Sequence, residues 1–326
     1  MLKKAVVVLC AFCLVFLTGC REKKQIDTVS SAPSPVSSGE TTVVSSEETK
    51  EVSSEVPPTE STVSTVSETP SSAPSNPVSK APTPKSPAPS ASSDCPDGMS
   101  QDTFRYLMSL DNTRSGHGWL HSENRQSYFD RFGALTTADR SQPVVYLTFD
   151  EGYENGYTPT ILDTLAEKGV KVVFFITMDY AKKNAALVQR MIQEGHAVGN
   201  HSTTHPSFPS LSVKAACAEV QQLHDYVQQH FNYTMHLFRF PSGDHSDRML
   251  ATLQSLGYTS VFWNFAHRDW DPADQPTYEE TLSRILANTQ NGTIYLLHAV
   301  SASDTAVLGQ AIDEIRARGY SFGLLP

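Results

Sequence analysis

A small set of polar side chains stands where apolar runs stop, and their types are sufficient for hydrolysis. One run ends at Thr148-Phe149 and is followed by Asp150 and Glu151; another ends at Asn200 and leads into His201 and, four residues on, His205. Arg239 precedes Phe240-Pro241-Ser242-Gly243, Asp269-Trp270 follows a fifth run, and Leu296-Leu297 ends in His298. A carboxylate can take a proton from water, and an imidazole can return one to a leaving group. Two imidazoles at i, i+4 spacing share a helical face and suit a divalent metal. Singly, each residue has a structural alternative. Asp150 could be a helix cap, the histidine pair a polar surface, Arg239 an ion-pair partner and His298 a core histidine. Their concentration at run ends is what points to a site.

The elements that must position them alternate in type. Short β-rich apolar runs occupy residues 144–149, 170–177, 196–200, 236–240, 259–264, 293–298 and 321–325. Between them lie segments of helical period at 158–168, 185–194, 212–231, 246–256, 278–289 and 305–318, several of them followed by a glycine. Thr158 as N-cap with Pro159 after it marks the start of the first of these helices. Alternation of this kind predicts a parallel sheet wrapped by helices, and several runs are apolar on both faces, as barrel strands are. An eightfold barrel needs one more unit, so the expectation is an α/β fold, a distorted (β/α)7 barrel. Reactive residues of such barrels sit at the C-terminal ends of strands, where these polar residues fall.

The order TFDEG, HSTTH, RFPSG, DW and LLH, covering nearly all of residues 144–326, resembles the polysaccharide deacetylase family of carbohydrate esterases. Longer stretches, TFDEGYENGYTP, GNHSTTHP, SVFWNFAHRDW and YLLHAVS, are similar to the delta-lactam-biosynthetic (muramic acid) de-N-acetylases within it. The resemblance implies the barrel fold of that family and metal-dependent removal of N-acetyl groups from cell-wall sugar, with muramic acid of peptidoglycan as substrate and sporulation as the setting. It implies Asp150 as general base, His298 as general acid, and Arg239 and Asp269 as the charges that set their protonation. His201 and His205 are the implied ligands of a divalent ion, zinc in the first place. Tyr153, Pro241, Trp270 and Leu296 are the implied substrate contacts. Glu151 departs from the family pattern, which has a metal-binding Asp here. A longer carboxylate could reach the ion, or point elsewhere and leave the two imidazoles and water. Competing readings are deacetylation of N-acetylglucosamine, chitin oligomers or O-acetyl-xylan, and a non-catalytic sugar-binding protein of the envelope.

Ahead of the barrel the composition changes. Lys3 and Lys4 precede an apolar run too short to span a membrane, ending in Leu17-Thr18-Gly19-Cys20, which resembles a bacterial lipoprotein signal box. Residues 1–19 are read as the signal peptide and Cys20 as the lipidated N-terminus. Residues 20–94, dominated by Ser, Thr, Pro, Val and Glu, cannot bury enough apolar surface to offset ordering and are read as a disordered linker. Residues 95–143 form an extension packed on the barrel, with a short helix near 103–110 and Trp119, Tyr128, Phe129 and Phe132 plugging its side or bottom. The catalytic domain is then 144–326. The chain is expected outside the cytoplasm, membrane-tethered through its lipid and monomeric. A net charge of -10 without a basic stripe argues against nucleic acid. Cys95 and Cys217 could pair or stay free.

Overall fold

The computed structural model describes residues 94–116 and 126–326. The expected signal peptide, Cys20, the expected linker up to residue 93 and Trp119 lie outside the described residues. Two helices, α1 (Gln101–Ser109) and α2 (Gln126–Asp130), come before the sheet. Its strands are β1 (Val144–Glu151), β2 (Val173–Ile176), β3 (Ala197–Asn200), β4 (Leu237–Phe238), β5 (Thr259–Ser260), β6 (Phe265–Ala266), β7 (Ile294–His298) and β8 (Ser321–Phe322). The helices between them are α3 (Thr158–Lys168), α4 (Met178–Lys183), α5 (Ala185–Gln193), α6 (Val213–Phe231), α7 (Asp247–Ser255), α8 (Tyr278–Ala287) and α9 (Ala302–Ala317). The strands run in the order β5-β4-β3-β2-β1-β7-β6, with β8 beside the start of β1. Every ladder is parallel.

This is the expected distorted (β/α)7 barrel, with one difference that explains the distortion. The run at 259–264 is not one strand. Only its first two residues are strand, β5 on one edge of the sheet; β6 follows the run on the other edge, so the chain between them spans the seam. The extension closes it: Leu135 donates its N–H to the Ser260 carbonyl at 2.8 Å and accepts from the Phe262 N–H at 2.7 Å. Phe129 and Phe132, both buried, seal the same flank, Phe129 lying 4.8 Å from the Phe262 ring. The plugging role expected of these rings is what the structure contains.

Helix starts follow local chemistry. Ser212, Ser246 and Ser301 cap α6, α7 and α9 through their hydroxyls, and Thr277 with Glu280 forms a capping box on α8. Two starts differ from expectation. The α3 cap is Tyr157, and the Thr158 hydroxyl turns inward, accepting from the Tyr180 hydroxyl and donating to Glu151 Oε1. α9 begins at Ala302, three residues early, because Ser301 supplies the cap, and this brings Asp304 into its first turn.

β2 is buried throughout, as a strand between barrel interior and helix layer must be. Beside it, Gly199 on β3 lets the Phe175 ring lie against the backbone, since a Cβ there would stand 2.4 Å from the ring. That ring is one wall for Arg239, whose guanidinium carbon lies 4.2 Å from its centroid. Cys95 and Cys217 are both free thiols.

Candidate active site

A cavity of about 910 Å³ opens at the C-terminal ends of the strands, and Asp150, His201, His205 and His298 line it together. Asp150 and His298 are register partners on the paired strands β1 and β7, so the backbone ladder sets their spacing. Their side chains are held from opposite sides by oppositely charged groups.

On one side Arg239, wholly buried, donates from one terminal nitrogen to Asp150 Oδ1 and Thr148 Oγ1, both at 2.8 Å. Its other nitrogens donate to the Val261 and Phe262 carbonyls of the seam. Burial alone would raise the Asp150 pKa, but Arg239, followed by His201 and His298, outweighs it and holds the carboxyl below its ordinary value. On the other side Asp269, fully buried, accepts from His298 Nδ1 and from the His298 backbone N–H, each at 2.7 Å. Burial disfavours the His298 cation, yet Asp269, Asp150 and Asp304 together raise its pKa above that of a free imidazole.

His201 and His205 are brought together by a different device from the helical turn that their spacing suggests. Residues 201–205 form a loop, in which Ser202 and His205 adopt left-handed backbone conformations, with φ of 72° and 58°. The rings meet edge to face, 4.8 Å between centroids. Asn200, buried, anchors the entrance by accepting from the Ser202 N–H. Glu219 on α6 fastens the rest, accepting from the N–H groups of Thr203 and Thr204 at 3.0 and 2.8 Å and from the Thr204 hydroxyl. Neither Asn200 nor Glu219 is signalled by the sequence, since their role depends on a loop whose shape no pattern announces.

His201 Nδ1 faces the Arg239 carbonyl at 2.8 Å. A carbonyl can only accept, so Nδ1 carries the hydrogen and Nε2 presents a lone pair, 3.5 Å from Asp150 Oδ2. Burial lowers the His201 pKa to about 4 and lowers that of His205 too, so both rings are neutral at pH 7. Two neutral imidazoles beside an anionic carboxylate fit a divalent cation by chemistry. Their arrangement matches what such a cation needs: an accessible cavity and a ring oriented by a hydrogen bond on its far nitrogen.

A second group of possible ligands, His267, Asp269 and Asp304, has its donor atoms within 4.8 Å of one another. It fits a cation poorly, because both Asp269 oxygens are already occupied by His298 and the side chains are almost completely enclosed.

Of the expected substrate contacts, Tyr153, Trp270 and Leu296 line the cavity. Tyr153 and Trp270 are about half exposed, at 48% and 54%, and Arg268 stacks over Trp270 with 5.3 Å to the ring centroid. Pro241 does not line it: the residue is buried at the start of a tight turn, and the next residue, Ser242, reaches the cavity through a left-handed conformation with φ of 54°. Glu151 is a second correction. Side chains alternate across a strand, so the residue after inward-facing Asp150 points outward, and the Glu151 carboxyl lies under Thr158, 3.5 Å from its hydroxyl. It is fully buried, burial, then Glu154 and Asp150, push its pKa well up, and it is not among the residues that line the cavity with the two imidazoles.

Residues 137–261 match the polysaccharide deacetylase family model. The chain is 34% identical over 197 residues to the peptidoglycan-N-acetylmuramic acid deacetylase PdaA of Bacillus subtilis, covering 60% of this chain and 75% of that protein. It is 32% identical over 209 residues to a chitooligosaccharide deacetylase of Sinorhizobium fredii, covering 59% of this chain and 96% of that one. The solved structure of Bacillus subtilis PdaA, a family 4 carbohydrate esterase, superposes with a TM-score of 0.63 at 31% identity, over 66% of this chain and 96% of that one. The chain therefore belongs to the polysaccharide deacetylase family. It is a hydrolase that removes N-acetyl groups from sugars.

Proposed function

We propose that this enzyme hydrolyses the N-acetyl group of muramic acid in peptidoglycan, in a metal-dependent reaction outside the cytoplasm. The observation that carries the reading is the pair of opposed ion pairs across one cavity, Arg239 with Asp150 and Asp269 with His298. They leave one carboxylate anionic and one imidazole protonated at the same pH, which amide hydrolysis requires.

Asp150, held through Oδ1, turns Oδ2 toward the cavity and accepts a proton from the water that attacks the acetyl carbon. His298, held through Nδ1, offers its Nε2–H to the amide nitrogen as the carbon–nitrogen bond breaks, giving acetate and a free amine. His201 and His205 hold a divalent cation, zinc by donor type, which when bound supplies positive charge to polarise the acetyl oxygen and acidify water. The aromatic faces of Tyr153 and Trp270, with Leu296, flank the sugar.

Muramic acid as the residue attacked is supported by the named activity of the Bacillus subtilis relative and by the motif resemblance. The Sinorhizobium relative favours a second reading, N-acetylglucosamine in short oligomers. The lipoprotein-like box ending at Cys20 supports a membrane tether near the wall. Mass spectrometry of muropeptides after treatment tests the substrate: acetyl loss from muramic acid is expected and is abolished in Asp150→Asn. Acetyl loss confined to glucosamine selects the second reading.

A further inference from the structure

Behind the Asp269–His298 pair lies a second pair that the reaction as described does not use. His267, in the loop after β6, and Asp304, in the first turn of α9, are 4% and 2% exposed in their side chains. His267 Nε2 stands 3.0 Å from Asp304 Oδ1, 3.2 Å from Oδ2 and 3.8 Å from Asp269 Oδ2. Two carboxylates therefore share one imidazole at the edge of the cavity, which His267 lines, and one of them orients His298. His267 Nδ1 has no hydrogen-bond partner among the described residues.

Helix capping does not explain Asp304. The α9 cap is the Ser301 hydroxyl, which accepts from the Asp304 backbone N–H at 3.1 Å and leaves the carboxyl outside the motif. Packing does not explain it either, since an isolated buried carboxylate is costly and an apolar residue of similar volume is not. What the carboxyl does have is a position one residue behind the group that holds His298.

We propose that Asp304 and His267 are positioning residues for the deacetylation: Asp304 is a second carboxylate that, through Asp269, keeps His298 protonated, and His267 carries the counter-charge that lets both carboxylates be buried. The inference rests on His298 acting as the proton donor. Groups facing His298 are Asp269, Asp304, Asp150 from β1 and His205 from the loop after β3. Those facing His267 are Asp304, Asp269 and, from α8, Arg284. Burial, with Asp269 beside it, moves the Asp304 pKa up to about 7, and the two carboxylates raise that of His267 despite burial. As pH rises and this cluster loses a proton, the negative charge left beside Asp269 tightens the hold on the His298 proton. The arrangement extends the acid's working range upward.

The test is the pH dependence of kcat/KM for acetate release from peptidoglycan strands, using the metal-loaded full chain. In Asp304→Asn the alkaline limb is expected to move down by about one pH unit, since an opposite charge at such range commonly shifts a pKa by that much or more. KM stays close to that of the parent. His267→Gln keeps the second carboxylate but removes its counter-charge, so its melting temperature falls and its alkaline limb moves down no further than that of Asp304→Asn. Equal loss of activity at every pH in Asp304→Asn overturns the proposal, as does a melting temperature change with the limb in place. A measurement independent of folding variants is the 15N titration of His267 in the unmutated protein: protonation persisting above the ordinary imidazole range supports the proposal, and a neutral ring at pH 6 sinks it. Two divalent ions per chain, falling to one in Asp304→Asn, would also overturn it. His298→Gln separates the two levels: full activity there removes the reading of the site itself, whereas an inactive His298→Gln with an unmoved Asp304→Asn limb removes only this inference.

Discussion

Replacing Asp269 by Asn tests the acid half of the site with little change in shape. In the native protein both carboxylate oxygens accept, one from His298 Nδ1–H and one from the His298 backbone N–H, at 2.7 Å each. An amide has one acceptor and one donor at those positions, so it can accept from the backbone N–H only while its NH2 donates to Nδ1, which holds His298 as the neutral tautomer with its hydrogen on Nε2. The electrostatic effect acts in the same direction. Burial opposes the His298 cation and Asp269 is first among the groups that outweigh it, so losing this charge lowers the His298 pKa. His298 is then neutral at pH 7, and kcat falls about 10²-fold or more, the usual contribution of a positioned acid. KM changes little, because Asp269 lies behind the cavity wall. The assay is initial acetate release from acetylated glycan between pH 5 and 9. A variant that keeps the native alkaline limb and loses activity equally at all pH values would refute the argument, since loss of fold or metal would then be the cause.

Other perturbations follow from the same geometry. Glu151→Gln replaces a buried acid by its isostere, so activity is retained. The native pKa is raised, so the unfolded chain ionises Glu151 at lower pH than the folded chain does, and the parent loses stability as pH climbs above the ordinary carboxylate range. The variant's melting temperature is therefore the higher of the two at pH 8, and lost activity would instead argue for a direct role in the site. Glu219→Ala frees the loop bearing His201 and His205, and metal affinity measured by chelator competition falls about 10–100-fold, as for other outer contacts of metal ligands. His201→Ala abolishes stoichiometric metal binding, read by elemental analysis, and acetate release with it.

Much of this arrangement was legible in the amino-acid order. β1 and β7 read as apolar runs ending in Asp150 and His298, and parallel pairing of such strands puts their ends together. The Glu151 side was legible in principle, because strand alternation turns the neighbour of an inward residue outward; the family pattern of adjacent acids at that point masked it. The histidine loop was not legible. Spacing of four fits a helix equally well, and Ser202 and His205 reach left-handed conformations only because Asn200 and Glu219, the latter distant in sequence, hold their neighbours. The seam was hidden for a related reason: residues 259–264 read as one strand, and where that strand stops depends on Leu135, a partner outside the repeating pattern. Asp304 escaped notice because its helix was expected to start after it.

Closure of the seam by Leu135 has a consequence for how the protein comes to be folded. The earliest part of the barrel in sequence must find a partner made more than halfway along the chain, so the contact is strongly non-local and its loop-closure cost falls late. A chain cut at the start of the family match, just past Leu135, would leave the Ser260 carbonyl and Phe262 N–H facing no ladder, and two phenylalanines' worth of apolar wall missing beside Arg239's carbonyl partners. The smallest autonomous catalytic fragment therefore starts upstream of β1, and the growing chain stays open along one side until residues 260–262 have been made.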